Sequence, residues 1–312
     1  MSSINAKGFL FINQARLTSR AINRRFDRDF KITALAKLKE AFDLANAKDL
    51  VVVMLGSLFE CSRETDVRIL SGLFAMMAQA KHKPLCLSNA EELKNNGELI
   101  DDISLSILES AQLATIITKA GVAASLTIDS QNIDLWAAPY GDIPSDARFE
   151  NPTVCVIHDV MDNPCSAIEN VRQVINGNSA GEGRSVEFGD THWLFPNSIS
   201  RLAIEEQGRL PTVWYWTPRA GVRRHALDHK EVVFSIEEST PTTIDKLPKS
   251  LFVELMKEEL DGDLEIPDNV VFKGEIEQVM AEQDMSEPAR LIMLDLIKRT
   301  IAEHTTVDHA LH

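Results

Sequence analysis

The run Leu50-Val51-Val52-Val53-Met54-Leu55 carries no polar side chain and stops at Gly56. A β-branched stretch this short suits a strand covered on both faces, which belongs in a mainly parallel sheet with helices packed over it. The flanking sequence agrees. Gly8 to Ile12 is a short apolar strand, Ile32, Leu35, Leu38 and Phe42 recur at helical spacing on a basic helix, and Thr65 to Ala80 is a second helix with Val67, Leu70, Phe74 and Met77 on one side. Pro84 to Leu87 is a third strand. The order is therefore β, α, β, α, β.

From Leu113 the strands become shorter and closer: Ala114–Ile117, Ala124–Ile128, Ile133–Gly141, Thr153–Ile157, Val171–Ile175, Ser185–Phe188, Thr212–Trp216 and Glu231–Ile236. Two strand-rich halves, the first with helical crossovers, predict an α/β sandwich of two packed sheets. Alternation puts Trp214 and Trp216 on one sheet face and Tyr215 on the other. His225 and His229 have helical i, i+4 spacing but no evident third ligand, so no metal site is expected there.

The last stretch differs in charge. Residues 1–240 read as the sandwich domain and 241–312 as an acidic helical extension with 16 acids against 7 bases. Its helices are expected at Leu251–Leu260, Gly274–Ala281 and Pro288–Glu303, with Ser286 as a cap and Leu291, Leu294, Ile297 and Ile301 as an apolar stripe. That stripe suits packing onto the sandwich, or a dimer or partner surface.

The whole chain of 312 residues has a net charge of −15, which argues against a generic coat on nucleic acid. Residues 16–39 run the other way, with eight bases against Asp27 and Asp29. This basic stretch, including Arg16, Arg20, Arg24, Arg25 and Arg28, is the expected binding surface for a local nucleic-acid contact or an acidic protein. Cys61, Cys86, Cys155 and Cys165 sit singly, as reduced thiols in a cytoplasm do. No signal-peptide pattern opens the chain, and no apolar stretch nears the ~18 residues a membrane span needs. The expected location is cytoplasmic, in the host if the chain is phage-encoded, with no membrane contact.

In α/β sheets chemistry collects just past the strand ends. Here those residues are Gln14-Ala15-Arg16, Gly56-Ser57-Leu58-Phe59-Glu60, Ser88-Asn89-Ala90-Glu91, His158 and Gly177-Asn178-Ser179-Ala180. In order and spacing this layout resembles the calcineurin-like metallophosphoesterase superfamily, and within it the SbcD-type nucleases, often phage-borne. Leu17-Thr18-Ser19-Arg20, the Leu135–Gly141 segment, Gly189-Asp190-Thr191-His192-Trp193 and Pro196–Arg201 add to the likeness.

The resemblance implies a four-layer α-β-β-α sandwich with two Mn, Mg, Fe or Zn ions held by carboxylates and imidazoles. It also implies a degenerate site. Gln14, Arg16, Ser57, Asn178 and Ala180 replace family ligands, Ala90 stands where the family has its catalytic histidine, and only Asn89 and His158 keep ligand character. Arg16 brings a permanent positive charge to a place meant for cations. The expectation is a non-catalytic protein with no metal cofactor and no catalytic residue, acting as a binding, regulatory or inhibitory protein; Asn89 and His158 are the remaining metal candidates. The alternative is a phosphodiesterase or nuclease with an altered site drawing on Glu60, Asp159, Asp190 or His192. Arg16 is expected to pair with Glu60 or Glu91, or to hold a phosphate or carboxylate. SbcD-type relatives also imply a protein partner and a homodimer.

Overall fold

Each strand of the first half buries one set of side chains inward and the alternate set outward, and this decides the layering. The structure is a computed structural model and describes residues 3–22, 24–26, 30–89, 92–93, 103–139, 148–158, 165–177 and 183–235. The 241–312 extension and its three expected helices lie outside these residues.

Strands β1 (Phe9–Ile12), β2 (Val51–Met54), β3 (Leu85–Leu87) and β4 (Thr115–Ile117) pair in parallel. Between them lie helices α1 (Phe30–Lys48), α2 (Val67–Ala78) and α3 (Ser104–Ser110). Strands β11 (Thr212–Thr217) and β12 (Gly221–Ala226) complete a six-stranded sheet of order β12-β11-β1-β2-β3-β4. The second sheet is formed by β5 (Gly121–Ile128), β6 (Gln131–Ala138), β7 (Thr153–Ile157), β8 (Val171–Asn176), β9 (Arg184–Phe188) and β10 (Thr191–Phe195), in the order β5-β6-β7-β8-β10-β9. The fold is thus mixed α/β with two six-stranded sheets, the architecture the sequence predicts.

Period-two alternation builds the core. Phe9, Phe11, Val51, Val53, Leu85 and Leu87 face Leu126, Leu135, Val154, Val156, Ile175 and Leu194 across the two sheets. Leu10, Ile12, Val52 and Met54 point the other way, under Leu38, Phe42, Ile69 and Leu73 of α1 and α2. Every residue of β1 and β2 is therefore buried, as the unbroken apolar run requires. A third cluster around Trp136, Cys155, Val174 and Trp193 covers the outer side of the second sheet.

Several local expectations change. Ile32 and Val67 were expected on buried helix faces, but both are exposed. The buried face of α1 is made by Phe30, Ala34, Lys37, Leu38, Ala41, Phe42 and Ala45. Residues Arg16, Arg20, Arg24 and Arg25 precede α1 and are not on a basic helix; Arg28 lies outside the described residues. His225 belongs to β12, so its spacing to His229 is not helical. Of the expected strand at Glu231–Ile236, the described residues form an isolated bridge, Phe234 to Arg25, and Ile236 lies outside them. The short helix α3 and strands β10 and β12 had no counterpart in the periodicity.

The cysteines are free thiols, with Cys86 and Cys155 buried and Cys61 and Cys165 half-buried. Among the described residues no helix is long and apolar enough to cross a membrane.

Candidate functional site at the strand ends

Parallel strands deliver their following residues to one edge, and both sheets do so on the same side. Leu55 N–H donates to Ile12 O at 2.9 Å, and Gly177 N–H to Ile157 O at 2.8 Å. The sheets meet where Gln14 Nε2 donates to Gly177 O at 3.3 Å and Asn13 Nδ2 to Pro196 O at 2.7 Å. Gly177 lies directly against Leu55 O, so close that no side chain fits.

The backbone here is unusual. Gln14, Arg16 and Ser57 have φ of 46°, 47° and 50°, and Gly56 has φ of 100°. Three non-glycine residues in the left-handed region within one site is a costly arrangement that surrounding contacts must hold. Those contacts are visible. Arg16 N–H donates to Ser57 O at 2.9 Å, Leu17 N–H to Leu58 O at 2.8 Å, and Ser198 Oγ to Gln14 O at 2.8 Å.

The second strand-end loop rests on a carboxylate. Glu92 accepts from Ser57 N–H and Phe59 N–H, each at 3.1 Å, one on each oxygen. Burial pushes its carboxyl up to about 7, while those amide donors pull in the opposite direction. Asn89 completes the arrangement: its Oδ1 accepts from Glu92 N–H and its Nδ2 donates to Ser57 Oγ, both at 2.7 Å.

His158 follows β7 and packs its ring on Gly56, where an added Cβ would meet Cδ2 at 2.7 Å. Its Nε2 is buried with no hydrogen-bond partner. Burial holds the imidazole down at about 4, so it is neutral at ordinary pH. Arg16 Nε sits 3.8 Å from Glu60 Oε2, with both side chains about one-third exposed. The pairing with Glu60 is one of the two anticipated; Glu91 lies outside the described residues.

The structure therefore brings Gln14, Arg16, Ser57, Asn89 and His158 to one edge. Ala90, Asp159, Asn178 and Ala180 lie outside the described residues. His192 is the second residue of β10, at its amino end, and its Nδ1 lies 3.2 Å from Glu187 on β9. Asp190 sits two positions before it, so neither belongs to the strand-end site. The basic stretch is also dispersed. Arg25 stacks on Phe30 and Phe234, at 4.7 and 5.3 Å from the ring centroids, and donates to Arg201 O. Lys37 is buried and donates to Ile199 O at 2.9 Å, and Lys31 pairs with Asp66 at 2.6 Å.

Glu92 went unnoticed in the sequence. Its signal was present as Asn89-x-x-Glu92, the spacing at which a polar side chain caps a backbone N–H three residues on. Among the described residues no group of three or more His, Cys, Asp or Glu is arranged to hold a metal ion.

No protein-family model matches the chain, and no curated protein matches it. Among solved structures it is similar to the 5'-nucleotidase precursor from Thermus thermophilus, over 70% of this chain and 54% of that one. Identity is 9% and the TM-score 0.40. The match spans about half the length of that protein.

Proposed function

We propose that this chain is a binding protein on a metallophosphoesterase-like scaffold, with its strand-end site given over to side chains that hold one another. The observation that carries this reading is the 2.7 Å hydrogen bond from Asn89 Nδ2 to Ser57 Oγ. Ser57 stands where the resembled family has a bridging aspartate, and its hydroxyl is engaged by an amide.

Two-metal hydrolysis needs cations about 3.5–4 Å apart, held by carboxylates and neutral imidazoles. The described candidates are Gln14, Ser57 and Asn89, all neutral, one imidazole at His158, and the cation Arg16 with the carboxylate of Glu60 3.8 Å from it. The nearby carboxylate of Glu92 is turned onto backbone amides. This set does not fit a metal pair. The function supported is recognition of a partner through the surface around the site.

Metal content by elemental analysis, combined with Mn²⁺-dependent hydrolysis of a chromogenic phosphodiester and of DNA ends, tests the reading. The expected result is no metal-dependent turnover. Turnover that disappears in His158→Ala would sink it.

A further inference from the structure

Strand β12 ends the first sheet, and its charge sets it apart from the strands at the other described sheet ends. Strand β4 is only three residues long. At β5 the chain's own start lies alongside, where Ile4 bridges Leu126 and its N–H donates to Ser125 O at 2.8 Å. Strand β9 carries one charge of each sign at positions 184 and 187, both engaged: Arg184 lies 4.7 Å over the Phe195 ring and Glu187 pairs with His192. Strand β12 runs for six residues, Gly221–Ala226, and bears Arg223 and Arg224 in succession. Both are exposed, and among the described residues no carboxylate engages either one.

Consecutive strand residues point to opposite faces of a sheet, and the contacts identify each face here. On one, Arg223 stands opposite Tyr215, whose ring carries Lys48 Nζ at 5.0 Å, and His225 lies 3.6 Å from Glu40 of α1. On the other, Arg224 stands opposite Trp214, and Val222, opposite Trp216, packs against the core between the sheets. The carboxylates beside β12 are occupied. Glu40 also accepts from Asp228 N–H at 2.9 Å, and Asp129 is held by Arg219 of the preceding turn at 2.9 Å. Asp228, Lys230 and Glu231 are exposed, but all lie at least two residues past the strand. One edge is thus flanked by a cation on each face, and alternate residues of an edge strand turn N–H and C=O outward between them.

We propose that β12 takes up an extended acidic segment of a partner protein as a further strand, two adjacent carboxylates of that segment meeting Arg223 and Arg224 and a β-branched residue next to them meeting Val222. The proposal goes beyond the binding-protein reading, because it concerns a sheet edge and not the strand-end site. Alternation selects the occupant. An added strand alternates faces as β12 does, so its adjacent side chains reach both arginines at once. A helix or a phosphate backbone laid on one face of the sheet meets only the arginine of that face. A second copy is opposed by charge, since pairing β12 with itself sets arginines among arginines, and like charges across a ladder are unfavourable. The charge that discourages self-pairing admits an acidic strand, so one repulsive element confers specificity.

The test uses the full chain and a labelled peptide about eight residues long, within the ordinary length of a strand, built of Val and Thr around an adjacent Glu pair. Its controls are the same peptide with Lys for Glu, two Glu peptides N-methylated on one or the other set of alternate amides, and a single-stranded DNA oligonucleotide. The variants are Arg223→Ala with Arg224→Ala, and Arg223→Glu with Arg224→Glu. Both side chains are exposed, and an unchanged melting temperature verifies the fold. The Glu peptide is expected to bind the wild type, with the Lys peptide and the double alanine variant each weaker by at least about tenfold. Methylation of the amides that face β12 should cost as much, and methylation of the outward set little. The double glutamate variant should reverse the preference and take the Lys peptide. Equal binding of the Glu and Lys peptides, equal effects of the two methylations, or indifference to the double alanine variant overturns the proposal. So does an oligonucleotide bound more tightly than the Glu peptide and lost in the double alanine variant, which makes the arginines a nucleic-acid contact. Self-association of the wild type that is lost in that variant overturns it as well, in favour of a second copy at this edge.

Discussion

Gly56 and His158 pack face to ring: a Cβ on Gly56 would come within 2.7 Å of His158 Cδ2, and the Gly56 backbone has φ of 100°. Two separate costs therefore attend any side chain here. Gly56→Ala is expected to destabilise the protein by at least about 2 kcal/mol, from the left-handed backbone and the clash together. In urea unfolding, adding His158→Ala should recover only the clash. Full recovery in the double variant would remove the backbone from the account.

Glu92 makes stability depend on pH in a defined sense. Its folded value is raised to about 7 from 4.5 by burial. A carboxyl raised on folding contributes its stability fully below the unfolded value and loses it as pH rises through the folded one. Between pH ~4.5 and ~7 this group's own contribution should fall by on the order of 3 kcal/mol, and Glu92→Gln should remove that falling component from the profile. Unfolding free energies across this range, wild type against variant, provide the check.

His158 works with the opposite sign. Its folded value is lowered from 6.5 to about 4, so its contribution is complete above pH ~6.5 and is lost as pH falls towards ~4. Over the shared window the two groups offset one another. His158→Asn should therefore expose the Glu92 slope, and Glu92→Gln the His158 slope. Parallel profiles for the two variants would contradict the opposed assignments.

Arg201 is 1% exposed and donates from Nη1 to Gln207 O at 2.7 Å and Glu231 O at 3.2 Å, and from Nη2 to Lys230 O at 2.5 Å. Replacing it by Met removes the donor from three part-buried carbonyls, so a loss of about 2–3 kcal/mol is expected. Arg201→Lys should recover little of that, because one compact ammonium cannot reproduce a planar fork reaching separate carbonyls. Thermal unfolding of both variants decides it.

Asn89→Ala removes two 2.7 Å hydrogen bonds, one to Ser57 Oγ and one from Glu92 N–H. A cost of roughly 2 kcal/mol follows from two buried partners left unsatisfied. Asn89→Asp should keep the bond from Glu92 N–H yet bring a second carboxylate near Glu92, and denaturant midpoints should place it below wild type. A midpoint at or above wild type would refute that charge argument.

The strands were legible because burial on two faces leaves a plain mark in the chain. Leu50–Leu55 and Thr153–Ile157 could be buried strands and little else, and their following residues, among them Gln14, Ser57, Asn89 and His158, had to arrive at the strand ends. Periodicity misled on which helix face turns inward. Ile32 and Val67 fit an apolar stripe by spacing, but the faces that turn inward are those of Phe30, Ala34 and Leu38 on α1 and of Ile69, Leu73 and Met77 on α2, which leaves both residues on exposed faces.

What the sequence determined by itself is the two-sheet α/β plan and the edge at which its polar residues gather. Tertiary structure decided how those residues use one another. The fit of Glu92 onto the amides of residues 57 and 59, the seat of His158 on Gly56 and the dispersal of the basic stretch all join segments distant in the chain. Strand periodicity is a local consequence of burial, whereas a hydrogen bond between loops depends on the register of both sheets at once, and no single stretch of sequence encodes that register.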